Sequence, residues 1–204
     1  GDDSDAKNSP VISGNQIGIV IENSSSQFVF NSRIGTNNLG TASFPNTHGI
    51  VLQNGSSNNI IGGSGLQSNL ISGNDSIAIA VNSCNSNSII GNKIGANITG
   101  MLGVSNFVGV YISGGTGNVV GSGVVGESNL ISANTVGIIL ENNPTSTIIK
   151  SNFIGTGLLG NSVFVGSGNN YGVIIKNTNT VNTIGGTVAE GNTFANNNVS
   201  IGID

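Results

Sequence analysis

Tryptophan is missing from this chain, and cysteine, histidine, methionine and arginine each occur once. A single thiol cannot close an internal disulfide, and the "NSCNS" setting of Cys84 holds no base or second thiol, so an inert thiol is expected. His48 has no cysteine or second histidine beside it, which leaves no zinc pattern, and no cofactor is expected. Charge is scarce too: 7% of residues are charged, with nine acids against five basic residues. That is too little positive charge for a phosphate-binding surface, so nucleic acid is not an expected partner. No apolar run is long enough to cross a bilayer and none is placed like a signal peptide, so no membrane span is expected. The chain starts at Gly1 rather than Met, the expectation for a processed or excised piece.

What is present is Gly and Asn, together about a third of the 204 residues, with Ile, Val, Ser and Thr between them. Good helix formers are few, and Gly/Asn/Ser clusters interrupt short β-branched runs at close intervals, an all-β composition. Disorder is the competing reading, but short apolar runs recur throughout and net charge is only −4, so the chain has surface to bury.

The runs are periodic. "SRIGTNNLGT" (32–41), "NKIGANITGM" (92–101) and "NFIGTGLLGN" (152–161) place Gly35, Gly95 and Gly155 sixty residues apart, and "SNLISGN" (68–74) returns as "SNLISAN" (128–134). Inside that period, "GIVI" (18–21), "GIVL" (49–52), "AIAV" (78–81), "GVYI" (109–112), "GIIL" (137–140) and "GVII" (172–175) define a unit of about thirty residues. Each unit reads as three short strands: that quartet, an apolar pair such as Ile60-Ile61 or Ile148-Ile149, and an Asn-x-Ile/Phe strand. Strands this short bury nothing alone, so successive units must stack into a continuous parallel coil.

On these motifs the chain resembles the right-handed parallel β-helix repeat proteins of the broad pectate-lyase-like superfamily, over residues 11–204. The resemblance implies a single all-β solenoid of about six complete turns, preceded by an extension at residues 1–10. It leaves function open, because that superfamily holds polysaccharide lyases, glycosidases, epimerases, tailspikes and adhesins.

Stacking turns each repeated position into a column with steps of about 4.8 Å. One column reads Ser32, Asn69, Asn92, Asn129, Asn152 and Asn192, and predicts a side-chain hydrogen-bond ladder. Another, Asn23, Asn54, Ser83, Gly114, Asn142 and Asn177, marks a bend that tolerates left-handed backbone. A charged column places Lys176 between Glu141 and Asp204. In the first strand, alternation sends Val20, Val51, Ile79, Tyr111, Ile139 and Ile174 outward as an apolar stripe. Long loops at 36–48, 96–108 and 156–171, carrying Phe44, Phe107 and Phe164, are expected to fold over that stripe, or else the stripe and loops form an interface.

Catalytic candidates are thin. Glu127 and Glu190 occupy equivalent bends two turns apart, roughly 10 Å, the one carboxylate pair whose spacing suits glycoside hydrolysis. Solvated surface charge is the plainer reading of both. Arg33 and Lys93 alternate with inward isoleucines and are expected to face solvent. "GSGVVG" (121–126) matches a dinucleotide-binding pattern but leads into a strand rather than a helix. With no cap at either end, the expectation is a secreted or surface-exposed structural coil that self-associates head to tail as a fibre, appendage or adhesin stalk. The alternative is a carbohydrate-binding or polysaccharide-degrading coil that uses the first-strand face and the long loops.

Overall fold

The computed structural model describes residues 9–204; the segment 1–8, most of the expected extension, lies outside the described residues. The described chain winds as one parallel β-solenoid of about six turns with three sheets. The first-strand sheet stacks Ile17–Glu22, His48–Gln53, Ile77–Asn82, Val108–Ser113, Val136–Glu141, Tyr171–Lys176 and Val199–Ile203. The second-strand sheet runs from Phe28–Val29 through Ile60–Gly62, Ser88–Ile90, Val119–Val120 and Ile148–Ile149 to Thr183–Ile184. The third-strand sheet begins at Val11–Ile12 and contains Arg33–Ile34, Leu70–Ile71, Lys93–Ile94, Leu130–Ile131, Phe153–Ile154 and Thr193–Phe194. Every pairing between strands is parallel and joins neighbouring turns.

The core is a stack of inward columns. Ile34, Ile71, Ile94, Ile131 and Ile154 come from the third strand, Ile61, Ile89, Val120 and Ile149 from the second, and Leu52, Val81, Ile112 and Leu140 from the first, all essentially inaccessible. Each such isoleucine contributes about 2 kcal/mol of burial, but only when the turns above and below cover it. The second strand of turn three is offset by one residue: Ser88 pairs with Ile60, so Ile89 rather than Ile90 joins the inward column. Cys84 is a buried core residue, and burial pushes its thiol pKa up, so it stays protonated and unreactive.

Three corners join the three sheets, and each carries an asparagine ladder. At the corner before the third strand, Asn69 Nδ2 donates to Asn92 Oδ1 (2.9 Å), Asn92 to Asn129 (3.1 Å), Asn129 to Asn152 (2.9 Å) and Asn152 to Asn192 (2.9 Å). The same Nδ2 groups donate to carbonyls of the second strand in the turn before, as Asn129 does to Ile89 O at 2.8 Å. This is the predicted ladder. A longer one, not foreseen, runs before the first strand through Asn15, Asn46, Asn74, Asn106, Asn134, Asn169 and Asn197, with Nδ2 to Oδ1 distances of 2.8–3.3 Å. A third, before the second strand, links Asn59 to Asn87 (2.9 Å) and Asn87 to Asn118 (3.2 Å), then stops at Thr147, whose buried Oγ1 has no partner among the described residues.

Sharp corners need left-handed backbone. Asn23, Asn54, Ser83, Gly114, Asn142 and Asn177 all have φ between 47° and 66°, as their column predicted. In "SNLISGN" and its near copy, Gly73 and Ala133 take φ of 75° and 62° directly before the ladder residues Asn74 and Asn134. Their serines act as staples: Ser72 Oγ donates to Ala96 O and Ser132 Oγ to Thr156 O, both at 2.7 Å, fastening each even turn to the odd turn after it.

Three expectations are corrected. Ile79 does not belong to the outward stripe. It pairs with Ile50 and Val110, both inward, and is itself fully buried, so the stripe residue of turn three is Ala80. The alignment of the quartets already sets Ile79 level with Ile50 and Val110; the outward placement is one residue out of that register, and one residue exchanges the two faces of a strand. The long loops, in turn, cover the third-strand sheet rather than the first-strand stripe. The first two fold back as tight hairpins, bridging Thr36 to Ser43 and Ala96 to Gly103, over the strand each has just left. Arg33 is therefore only 4% exposed and donates through Nη1 to Asn38 O, while half-buried Lys93 donates to Ile98 O at 2.7 Å. Neither faces open solvent.

Candidate functional site

The first-strand stripe shields itself. Val51 and Ile139 are buried, as is Ala80, because neighbours one strand spacing away cover each side chain from above and below. Ile139 packs with Val108 and Val136 in a small outer cluster, against which Ile77, Tyr111 and Ile174 also pack. Val20, at the N-terminal edge, is the exposed member. Beside the stripe, Tyr111 Oη donates to Glu141 Oε2 at 2.9 Å and Lys176 Nζ lies 3.2 Å from Glu141 Oε1. Partial burial pushes the Glu141 carboxyl up, but the Tyr111 hydrogen bond and the Lys176 ammonium together bring it below its ordinary value. Half of the expected charge ladder is thus formed; among the described residues Asp204 makes no ion pair.

The aromatic loop residues do not gather. Phe44 follows the Ser43 bridge and packs toward Gly14, whereas Val104 follows the equivalent Gly103 bridge in the next long loop. Phe107 lies farther along its loop, with more than half of its surface exposed, and Phe164 is half-buried in the third.

Glu127 and Glu190 sit in equivalent bends, as their spacing implied, since Glu127 O accepts from Gly91 N (2.8 Å) and Glu190 O from Ser151 N (3.0 Å). Their side chains are engaged locally. Glu127 Oε2 accepts from Ser122 Oγ at 2.6 Å. Glu190 Oε1 accepts from Lys150 Nζ at 2.6 Å, and its Oε2 from the Thr187 backbone at 3.0 Å in a capping box. The Lys150 ammonium first, then the Thr187 donors, hold Glu190 down at about 2. A general acid must carry its proton near neutral pH, and that environment favours the opposite state.

Two open cavities lie on the side of the third strands. The larger, about 530 Å³, is a polar groove at the corner between third and first strands, and its lining includes Thr41, Ser43, Asp75, Phe107 and Thr135. The second, about 450 Å³, is more apolar and has Lys93, Leu130 and Phe153 on its floor. Among the described residues no three His, Cys, Asp or Glu side chains come together as a metal site, and no helix is long and apolar enough to cross a membrane. Sequence reasoning missed both cavities, because they arise where bends of alternate turns leave room, which no single repeat reveals. Comparison with known proteins finds no matching family model, no similar curated protein and no similar solved structure.

Proposed function

We propose that this chain is a structural β-solenoid of the right-handed, pectate-lyase-like kind, working outside the cell or on its surface as a rigid coil that stacks head to tail on a second copy of itself. Right-handed winding is the rule for parallel strands joined by a crossover. The observation that carries the proposal is the polarity of the ladders. Every rung donates Nδ2 toward the C-terminal side and accepts on Oδ1 from the N-terminal side. Among the described residues, one face of the coil therefore offers the Asn15 acceptor and the opposite face the second amide hydrogen of Asn192, whose first goes to Ile149 O, whereas the Asn197 amide is turned back onto Ile154 O and Ala195 O. Like faces cannot complement each other, whereas opposite faces can.

Apolar edges support the same reading: Phe28 and Phe30 are exposed at one face, Ile201 and Ile203 at the other. Electron microscopy and light scattering over a concentration series test it. Fibres or end-to-end oligomers that Ile203→Lys shortens are expected; strictly monomeric particles at every concentration would overturn the assembly.

A second reading is favoured by the polar groove. Its hydroxyls, the Asp75 carboxylate and the exposed Phe107 ring are the groups that hold a sugar, by hydrogen bonds and stacking. Binding of neutral or acidic polysaccharides, weakened by Phe107→Ala and Asp75→Asn, would support a carbohydrate-binding coil; cleavage products would make it an enzyme.

A further inference from the structure

Even turns lengthen the bend after the second strand, and odd turns keep it short. At turn three the short bend Gly91-Asn92-Lys93 therefore lies in a notch between the longer bends of turn two, around Gly65, and turn four, around Val125 and Gly126. Leu158, from the long loop of turn five, closes the far side, and Leu130 and Phe153 continue the floor. The notch is a cavity of about 450 Å³ with mostly apolar walls.

The cation in its lining is Lys93. Among the described residues the ammonium donates to Ile98 O at 2.7 Å and makes no ion pair, and no carboxylate lines the cavity. The corresponding notch of turn five is different. There Lys150, one residue past Ile149, meets Glu190 from the bend of turn six. In turn three the residue at that position is Ile90, because Ile89 and Ile149 pair through Val120, and the bend acid Glu127 turns to Ser122 instead. Where one notch is closed by an internal carboxylate, the other is lined by half-buried Lys93, whose ammonium has a single carbonyl partner, beside apolar walls. Burial also lowers the pKa of Lys93, a cost that a bound anion would offset.

We propose that this notch is a binding site for a small amphipathic monocarboxylate, its carboxylate on Lys93 and its hydrocarbon on Val125, Leu130, Phe153 and Leu158. Charge complementarity selects the head group and the apolar walls select the body. The site is independent of any stacking of coils.

Octanoate and its uncharged counterpart 1-octanol are the probes, titrated separately into the full chain and followed by NMR of the Leu130, Leu158 and Val125 methyls. Saturable octanoate binding at least tenfold tighter than 1-octanol, with shifts centred on those methyls, is the expected result. Lys93→Met should bring octanoate down to the octanol level. Val125→Glu, at an almost fully exposed rim position, removes an apolar contact from both probes and adds a like charge for octanoate alone, so it should weaken octanoate more than octanol. Equal binding of the two probes, shifts elsewhere, or a preference that survives both substitutions would overturn the proposal.

Discussion

Asn129 and Asn152, both fully buried, are joined by a 2.9 Å hydrogen bond from Nδ2 to Oδ1, in the middle of a ladder that ties turn four to turn five. Asn129 also gives Nδ2 to Ile89 O, and its Oδ1 accepts both the backbone N–H (2.9 Å) and the Nδ2 of Asn92 (3.1 Å). Asn129→Ala would leave the Asn92 backbone N–H and the Asn152 Oδ1 buried without partners among the described residues, at about 1–3 kcal/mol each, while the Ile89 carbonyl keeps the Gly121 N–H. A loss of about 3–5 kcal/mol in urea unfolding is expected, against less than about 0.5 kcal/mol for Asn38→Ala on an exposed loop.

The ladder that stops at Thr147 offers the converse test. An asparagine side chain in its place would accept from the Asn118 amide and donate to Asn182 Oδ1, which now takes the Thr147 N–H at 3.0 Å. Thr147→Asn is therefore expected to stabilise by about 1 kcal/mol, read as a rise in thermal midpoint.

Backbone at the corners gives a paired prediction. Ala133 occupies a left-handed conformation at φ 62°, so Ala133→Gly should stabilise by about 0.5–1 kcal/mol. Gly35, at φ 89°, should tolerate no such exchange in reverse, because a Cβ there would lie 2.5 Å from Ser72 O. Gly35→Ala is expected to cost more than Ala133→Gly gains, measured by the same thermal melts.

Acid sensitivity follows from Glu190. Its folded pKa of about 2 lies below the ordinary value of 4.5, so the folded state releases the proton more readily than the unfolded chain. The stabilisation is complete above pH 4.5 and is lost as pH falls through the interval down to about 2. Lys150→Met should flatten the stability profile over that interval, and the two proteins should converge at its acid end.

Lys93 works in the opposite range. Burial lowers its pKa from 10.5, so the unfolded chain holds the proton more tightly and stability should rise as pH climbs through the lowered value toward 10.5. In Lys93→Met that alkaline rise should disappear.

Much of this molecule is written locally. The thirty-residue unit, the inward isoleucine after each ladder asparagine and the left-handed corners are properties of short segments repeated at fixed spacing. Periodicity therefore determined the fold, the number of turns and the ladder through Asn69, Asn92, Asn129, Asn152 and Asn192. Tertiary structure decided what depends on register and on where loops fall. That Ile89 rather than Ile90 faces inward follows from its pairing with Ile61, since a shift of one residue exchanges inside and outside. The cover over Arg33 and Lys93 follows from hairpins that close on the nearest strand rather than reach across a corner. The ladder from Asn15 to Asn197 has spacings of 28 to 35, more even than the 23 to 40 of the foreseen one, but its asparagines lie in the bends before the first strands, outside the strand motifs, and only the fold aligns them. The notch around Lys93 exists because alternate bends of unequal length leave a gap that belongs to no single turn.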